Sequence, residues 1–211
     1  MKKSLVTLGL WILGISLCRA QGFLNLNFEN ATILTSRTAT IPGWTVNTGN
    51  YVNGDINSIP YNDSAMDAPA VSLEGTNALS PSLQAIQGNY SIFLQGGSRF
   101  SSDTNGASIW QTGQVSVLAQ SMTYWGNALQ VTFNNQLLTF NAISNAPNYT
   151  VWGTDISAYA GQTGQLMFTV PWQSSSMLDN IRFSASPIPE PGSIALLVAG
   201  GLLVTWRGHK S

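Results

Sequence analysis

Few side chains in this chain could carry chemistry. His209 is the only histidine and lies at the extreme C-terminus, beyond an apolar run. A serine–histidine–aspartate triad is therefore excluded, and so are histidine metal ligands. Cys18 is the only cysteine and falls in the N-terminal segment. Carboxylates remain. Asp55, Asp63, Asp67 and Glu74 lie in an irregular stretch. They either supply a pair for glycoside hydrolysis or are solvated loop acids. Asp179 shares its alternation with Ile181 and Phe183 and so points to their face, where a bare charge needs a partner. Glu29 follows Leu24, Leu26 and Phe28. Either the two carboxylates share a site, or Asp179 caps local N–H groups and Glu29 is solvated. Gln95-Gly96-Gly97-Ser98 lacks the lysine and spacing of a phosphate loop. Trp44, Trp110, Trp125, Trp152 and Trp172 are many tryptophans for a small domain. An exposed indole can stack on a sugar ring, while the others fill a core. Trp172, in the loop Pro171-Trp172-Gln173-Ser174, is the candidate glycan contact, and Trp44 is expected to pack.

Short strands must position these groups. In Phe23-Leu24-Asn25-Leu26-Asn27-Phe28-Glu29 apolar and polar residues alternate, the period of a strand with one buried face. Tyr90–Gln95, Ala107–Gln111, Leu129–Phe133, Leu137–Phe140, Tyr149–Trp152, Gln165–Val170 and Met177–Ser184 read as further strands. The turn at Asn134-Asn135-Gln136 predicts a hairpin. Residues 47–87 read as long loops with one or two weak strands. No helix-spaced stripe occurs between residues 21 and 186, so the expectation is an all-β, antiparallel β-sandwich.

Charged residues are only 8% of the 211 residues, against roughly 25% in an ordinary soluble domain. Between the two ends only Arg37, Arg99 and Arg182 face eight acidic residues. A middle without a basic patch excludes nucleic acid as a partner, because such binding rests on neutralising phosphates.

The ends differ from the middle. Lys2 and Lys3, the apolar Leu5–Leu17 and Cys18-Arg19-Ala20 have the form of a secretory signal cleaved between Ala20 and Gln21. Pro187–Ser193 reads as a rigid linker, extended and standing away from the sandwich. Ile194–Trp206 is apolar, and Arg207, His209 and Lys210 follow it. Thirteen helical residues rise about 20 Å, short of a ~30 Å hydrocarbon core, so this helix spans marginally, with Arg207 and Lys210 reaching the interface. The expected organisation is signal peptide 1–20, sandwich 21–186, linker 187–193, transmembrane helix 194–206 and basic tail 207–211.

Two resemblances bear on this reading. Pro189-Glu190-Pro191-Gly192, the apolar run, Arg207 and Lys210, in that order behind a signal peptide, closely resemble a PEP-CTERM sorting signal. The resemblance implies a Gram-negative bacterial origin, an exosortase-type membrane protease as partner, insertion in the inner membrane before processing, and a destination at the cell surface or extracellular matrix. The tail is poorer in arginine than is usual for that signal. The middle resembles a galactose-binding-like jelly roll, a fold common among carbohydrate-binding modules. It does so at Asn27-Phe28-Glu29 with Ile41-Pro42-Gly43-Trp44, at Asp155-Ile156-Ser157-Ala158-Tyr159-Ala160-Gly161-Gln162, and at Leu178-Asp179-Asn180-Ile181-Arg182-Phe183. It implies a structural calcium held by Glu29 and Asp179, and contact with polysaccharide. The resulting expectation is an exported, non-enzymatic surface or matrix protein. A glycan-active enzyme, or a permanently anchored structural protein, is the alternative.

Overall fold

The computed structural model describes residues 22–47, 58–63, 69–97 and 106–188. The signal segment with Ala20 and Gln21 lies outside the described residues, as do Asp55, Asp67 and the sorting motif with its helix and tail (Pro189, Glu190, Pro191, Gly192, Arg207, Lys210). Among the described residues no helix is long and apolar enough to cross a membrane.

The strands are β1 (Thr32–Thr35), β2 (Thr38–Thr40), β3 (Thr45–Asn47), β4 (Ile59–Pro60), β5 (Pro69–Gly75), β6 (Tyr90–Gly96), β7 (Ala107–Gln114), β8 (Ser121–Gly126), β9 (Gln130–Phe133), β10 (Gln136–Leu138), β11 (Asn141–Asn145), β12 (Thr150–Asp155), β13 (Thr163–Val170) and β14 (Ser175–Ser184). They form a five-stranded sheet, β10-β9-β13-β7-β3, a six-stranded sheet, β11-β12-β8-β14-β6-β5, and a small sheet, β1-β2-β4. Every strand pairing is antiparallel. The all-β expectation holds.

The core lies between the two large sheets. Ile109, Val131, Phe133, Leu166 and Phe168 come from the five-stranded sheet, and Val71, Leu73, Ile92, Leu94, Met122, Tyr124 and Leu178 from the six-stranded sheet. Strict alternation puts these residues on the inner faces. Phe168 sits centrally, its ring 6.2 Å from Trp44 and 5.7 Å from Tyr124. Burying each such ring contributes on the order of 2 kcal/mol or more. Trp44 packs as expected and donates its indole N–H to the Asn25 carbonyl. The β9–β10 hairpin turns on Asn134 and Asn135, both with positive φ (49° and 63°), as a tight two-residue turn requires.

Three expectations need correction. Phe23–Glu29 is not a strand. Asn25 and Phe28 take positive φ (48° and 59°) and the segment coils into turns. Leu24 nevertheless lies alongside β7, donating its N–H to the Gln111 side chain and accepting from the same amide. Second, Asp179 does not share a face with Ile181. Asn180 adopts φ 49° and the β14–β8 register shifts between Asp179 and Arg182. This bulge inserts a residue and resets the alternation. Leu178 and Ile181 both enter the core, while Asp179 turns to the outer face of the six-stranded sheet. Third, the linker does not stand clear from its start. Ser186 accepts a hydrogen bond from the Ser121 hydroxyl, and Ile188 lies over Gly153 beside Ile143.

Candidate functional site

The outer face of the six-stranded sheet carries an unusual row. Glu74 on β5 pairs with Ser91 on β6. The Ser91 hydroxyl donates to Asp179 Oδ2 at 2.8 Å, and Asp179 pairs with Trp125 on β8. Asp179 is only 1% exposed. Its carboxyl is pushed up to about 7, by burial first, against hydrogen bonds from Ser91, Asn180 and Gln87 that pull it down, with the Glu29 charge raising it further.

Glu29 reaches the same place from the loop before β1. Its oxygens accept from the Asn89 backbone (2.9 Å), the Asn89 side chain (2.9 Å) and the Tyr90 backbone (3.2 Å). The segment 86–90 thus serves both acids. Gln87 donates its N–H to Asp179, while Asn89 and Tyr90 donate theirs to Glu29. Between them Gly88 turns at φ 65°, and a Cβ there would collide with the Glu29 carboxylate. Gly88→Ala should therefore displace Glu29 and cost about 1–3 kcal/mol. Thermal melting would check this, and a melting temperature equal to wild type would show that the close approach is unimportant.

Asn27, Glu29, Gln87, Gly88, Asp179, Asn180 and Arg182 line a surface depression of about 110 Å³. The Arg182 guanidinium donates through Nε to Asn180 Oδ1 at 2.8 Å and lies over the Trp125 ring at 5.8 Å. Trp125 also stacks on Tyr149, with centroids 4.8 Å apart. Arg182 is thereby held at the rim by a cation–π contact and one hydrogen bond.

Glu29 and Asp179, far apart in sequence, are therefore brought together. Their oxygens are the hard donors that calcium takes. Each carboxylate has about four lone-pair positions and accepts three hydrogen bonds, which leaves room for an ion. Calcium needs six or more oxygens, so the amide oxygens of Asn27 and Gln87 would have to join. Among the described residues no three histidine, cysteine or acidic side chains converge.

The remaining candidates separate. Trp172 is 38% exposed, in the loop between β13 and β14. That loop meets Gly97 through the Gln173 N–H, at the sandwich end remote from the end of β14. Asp63 is partly exposed and paired with Arg37 at 3.2 Å. Glu74 is not a solvated loop acid. It is 1% exposed on β5, accepts from Ser72 at 2.6 Å, and its carboxyl is raised by burial. Sequence reasoning missed Gly88, Ser91 and Arg182. Gly88, Asn89 and Tyr90, between Gln87 and Ser91, gave no local signal in the sequence.

No protein-family model matches the chain, and no curated protein does. Solved structures do match. A cyclase from Fischerella sp. TAU in complex with 4-(1H-indol-3-yl)butan-2-one is 16% identical, covering 81% of this chain and 99% of the cyclase with a TM-score of 0.49. A Stig cyclase from the same source, in complex with (3Z)-3-(1-methyl-2-pyrrolidinylidene)-3H-indole, aligns at 16% identity over 81% of this chain and 98% of its own, with a TM-score of 0.48. The apo form of a cyclase from Fischerella sp. gives the same identity and coverage with a TM-score of 0.46. All three are cyclases, against the expectation of a non-enzymatic module. At such identities and TM-scores neither their reaction nor their ligands pass to this chain.

Proposed function

We propose that this chain is an exported, membrane-directed protein whose sandwich, a jelly roll of galactose-binding type, acts on glycan at the Glu29–Asp179 depression. The observation that carries the proposal is the pairing of two carboxyl groups in unlike settings at one opening. Asp179 forms the floor, buried and raised to about 7, so near neutrality a large share of it holds a proton. Glu29 stands at the rim, where a ligand reaches it first. Two carboxyl groups separated in this way are what general acid–base work on a sugar needs. Asn27, Gln87 and Arg182 around them offer donors and acceptors for hydroxyl groups. Trp172, at the opposite end, serves a separate sugar contact.

Polysaccharide turnover by wild type and Glu29→Gln tests the reading. The variant should lose on the order of 10²-fold in rate while its melting temperature stays within a few degrees. Equal turnover by the variant, or none by wild type, overturns it.

The second reading is a calcium cradle at the same pair, favoured by the oxygen-rich lining. Calcium should then raise the melting temperature and a chelator should lower it. An unchanged melting temperature in protein shown to be metal-free counts against the ion.

The sorting half of the proposal rests on the terminal patterns. An exosortase-type protease processes the chain at Pro189–Gly192, and the product reaches the cell surface or matrix. Deleting residues 189–211 should redirect the protein, and an unaltered distribution between membrane, surface and medium overturns this half. Intact mass of the mature protein reads both cleavages at once.

A further inference from the structure

Arg182 is a cation without a counter-ion. Basic residues are scarce between the two ends of the chain, and acids outnumber them. Among the described residues the one ion pair joins Arg37 to Asp63. Arg182 instead donates through Nε to the neutral Asn180 and lies over the Trp125 ring. Its terminal nitrogens Nη1 and Nη2 have no acceptor among the described residues. The guanidinium is thus fixed at one edge and against one ring, at the rim of the depression. Its remaining fork of parallel N–H donors matches the geometry of a carboxylate.

Asn180 gives a second, independent sign. It is 4% exposed and lines the same depression. Its Nδ2 is buried and has no acceptor. The orientation of this amide is fixed, because an arginine Nε only donates and must face Oδ1. A buried donor left unpaired is costly, and an acceptor brought by a ligand removes that cost. Asn180 sits in the β14 bulge, where the register shift re-aims side chains.

The depression is therefore divided. Glu29 and Asp179 offer acceptor oxygens, and Asn180 and Arg182 offer donors. A neutral sugar presents hydroxyls to the first pair and leaves the Arg182 charge unmet. A uronic acid carries hydroxyls and a carboxylate on one ring. The volume of about 110 Å³ is well below the roughly 300 Å³ or more of a pocket for a drug-sized ligand, so both groups must come from one sugar unit. Glu29 does not forbid an anion here, since three donors from Asn89 and Tyr90 already answer its charge.

We propose that the depression takes a uronic acid unit. Its carboxylate lies on the Arg182 Nη pair with Asn180 Nδ2 behind, and its hydroxyls face Glu29 and Asp179. The proposal rests on the glycan reading of this depression and names the class of sugar it takes.

The test measures affinity by calorimetry, with the full chain in a chelator so that no calcium bridges the sugar. The probes are oligomers of galacturonic, glucuronic and mannuronic acid, the same oligomers with carboxyls reduced to alcohols, and a sulfated galactan oligomer. Wild type should bind at least one uronate oligomer about tenfold or more tightly than its reduced form, and more tightly than the sulfated oligomer. Arg182→Gln removes the charge and the fork. Asn180→Asp keeps an acceptor for Arg182, turns the free donor into an acceptor, and tolerates the left-handed backbone. Each should narrow the preference to within about threefold, with the melting temperature within a few degrees of wild type. Arg37→Gln, remote in function and already paired with Asp63, should keep the preference. Equal affinity for uronate and reduced forms, tighter binding of the sulfated oligomer, or a preference that survives Arg182→Gln or Asn180→Asp overturns the proposal while the glycan reading stands. Binding of no oligomer in either form overturns the glycan reading, and the proposal with it.

Discussion

Replacing Asp179 by Asn should remove most of the pH dependence of stability between about pH 4 and pH 7. The Asp179 carboxyl is raised from 3.8 to about 7 in the folded chain. Below the lower value both folded and unfolded states hold the proton, and the stability is complete. As pH rises the unfolded state releases it while the fold retains it. Stability is then lost progressively, until the folded carboxyl itself ionises near 7. Three pH units at 1.36 kcal/mol each make the loss about 4 kcal/mol. An Asn at this position does not titrate, so the variant should gain on wild type as pH rises, and above pH 7 should equal or exceed it. Glu74, also raised by burial, leaves a residual slope of the same sign. Urea unfolding at pH 4 and pH 8 checks this. A wild type more stable at pH 8 than at pH 4 would refute it, and if that reversal required calcium it would favour the cradle. Wild type should keep its stability at pH 8 with the ion bound, and the Asn variant should not respond to it.

Phe28→Ala should lower stability by about 3–5 kcal/mol. Phe28 is fully buried, with its ring 5.5 Å from Trp44. It holds φ 59°, a conformation rare for a bulky residue and kept only where the surroundings demand it. Its ring pins the turn from which Glu29 projects. The variant should therefore lose about 6–20 °C in melting temperature for a chain of this size. It should also loosen the clamp that Asn89 and Tyr90 make on Glu29, with faster hydrogen exchange at those two amides. A melting temperature within about 2 °C of wild type would mean that Phe28 anchors nothing.

The strands were legible where alternation was simple. β9 and β13 bury alternate residues in period two, whereas β6, β12 and β14 showed in the sequence through their β-branched and aromatic content. Ser-Met-Thr-Tyr-Trp-Gly, which forms β8, went unread although Met122 and Tyr124 face the core in strict period two. β5 was hidden for another reason. Its outward residues Ser72 and Glu74 are buried as well, and a buried glutamate resembles a loop acid until something covers it. Phe23–Glu29 shows the opposite failure. The alternation is present, but two left-handed residues turn it into a loop, and φ does not show in a pattern of polarity.

By itself the sequence determined the all-β class, the sparse and net acidic charge of the middle, and the contrast of the two ends. These follow from composition and short-range pattern, which need no fold. Only the tertiary structure decided which face Asp179 takes. One residue in a left-handed conformation at Asn180 shifts the register and moves the carboxylate from core to outer face. Strand pairing then brings it to Ser91, and the turn at Gly88 brings it to Glu29. Contacts between residues this distant in the chain depend on register and turn geometry, which period-two alternation leaves open.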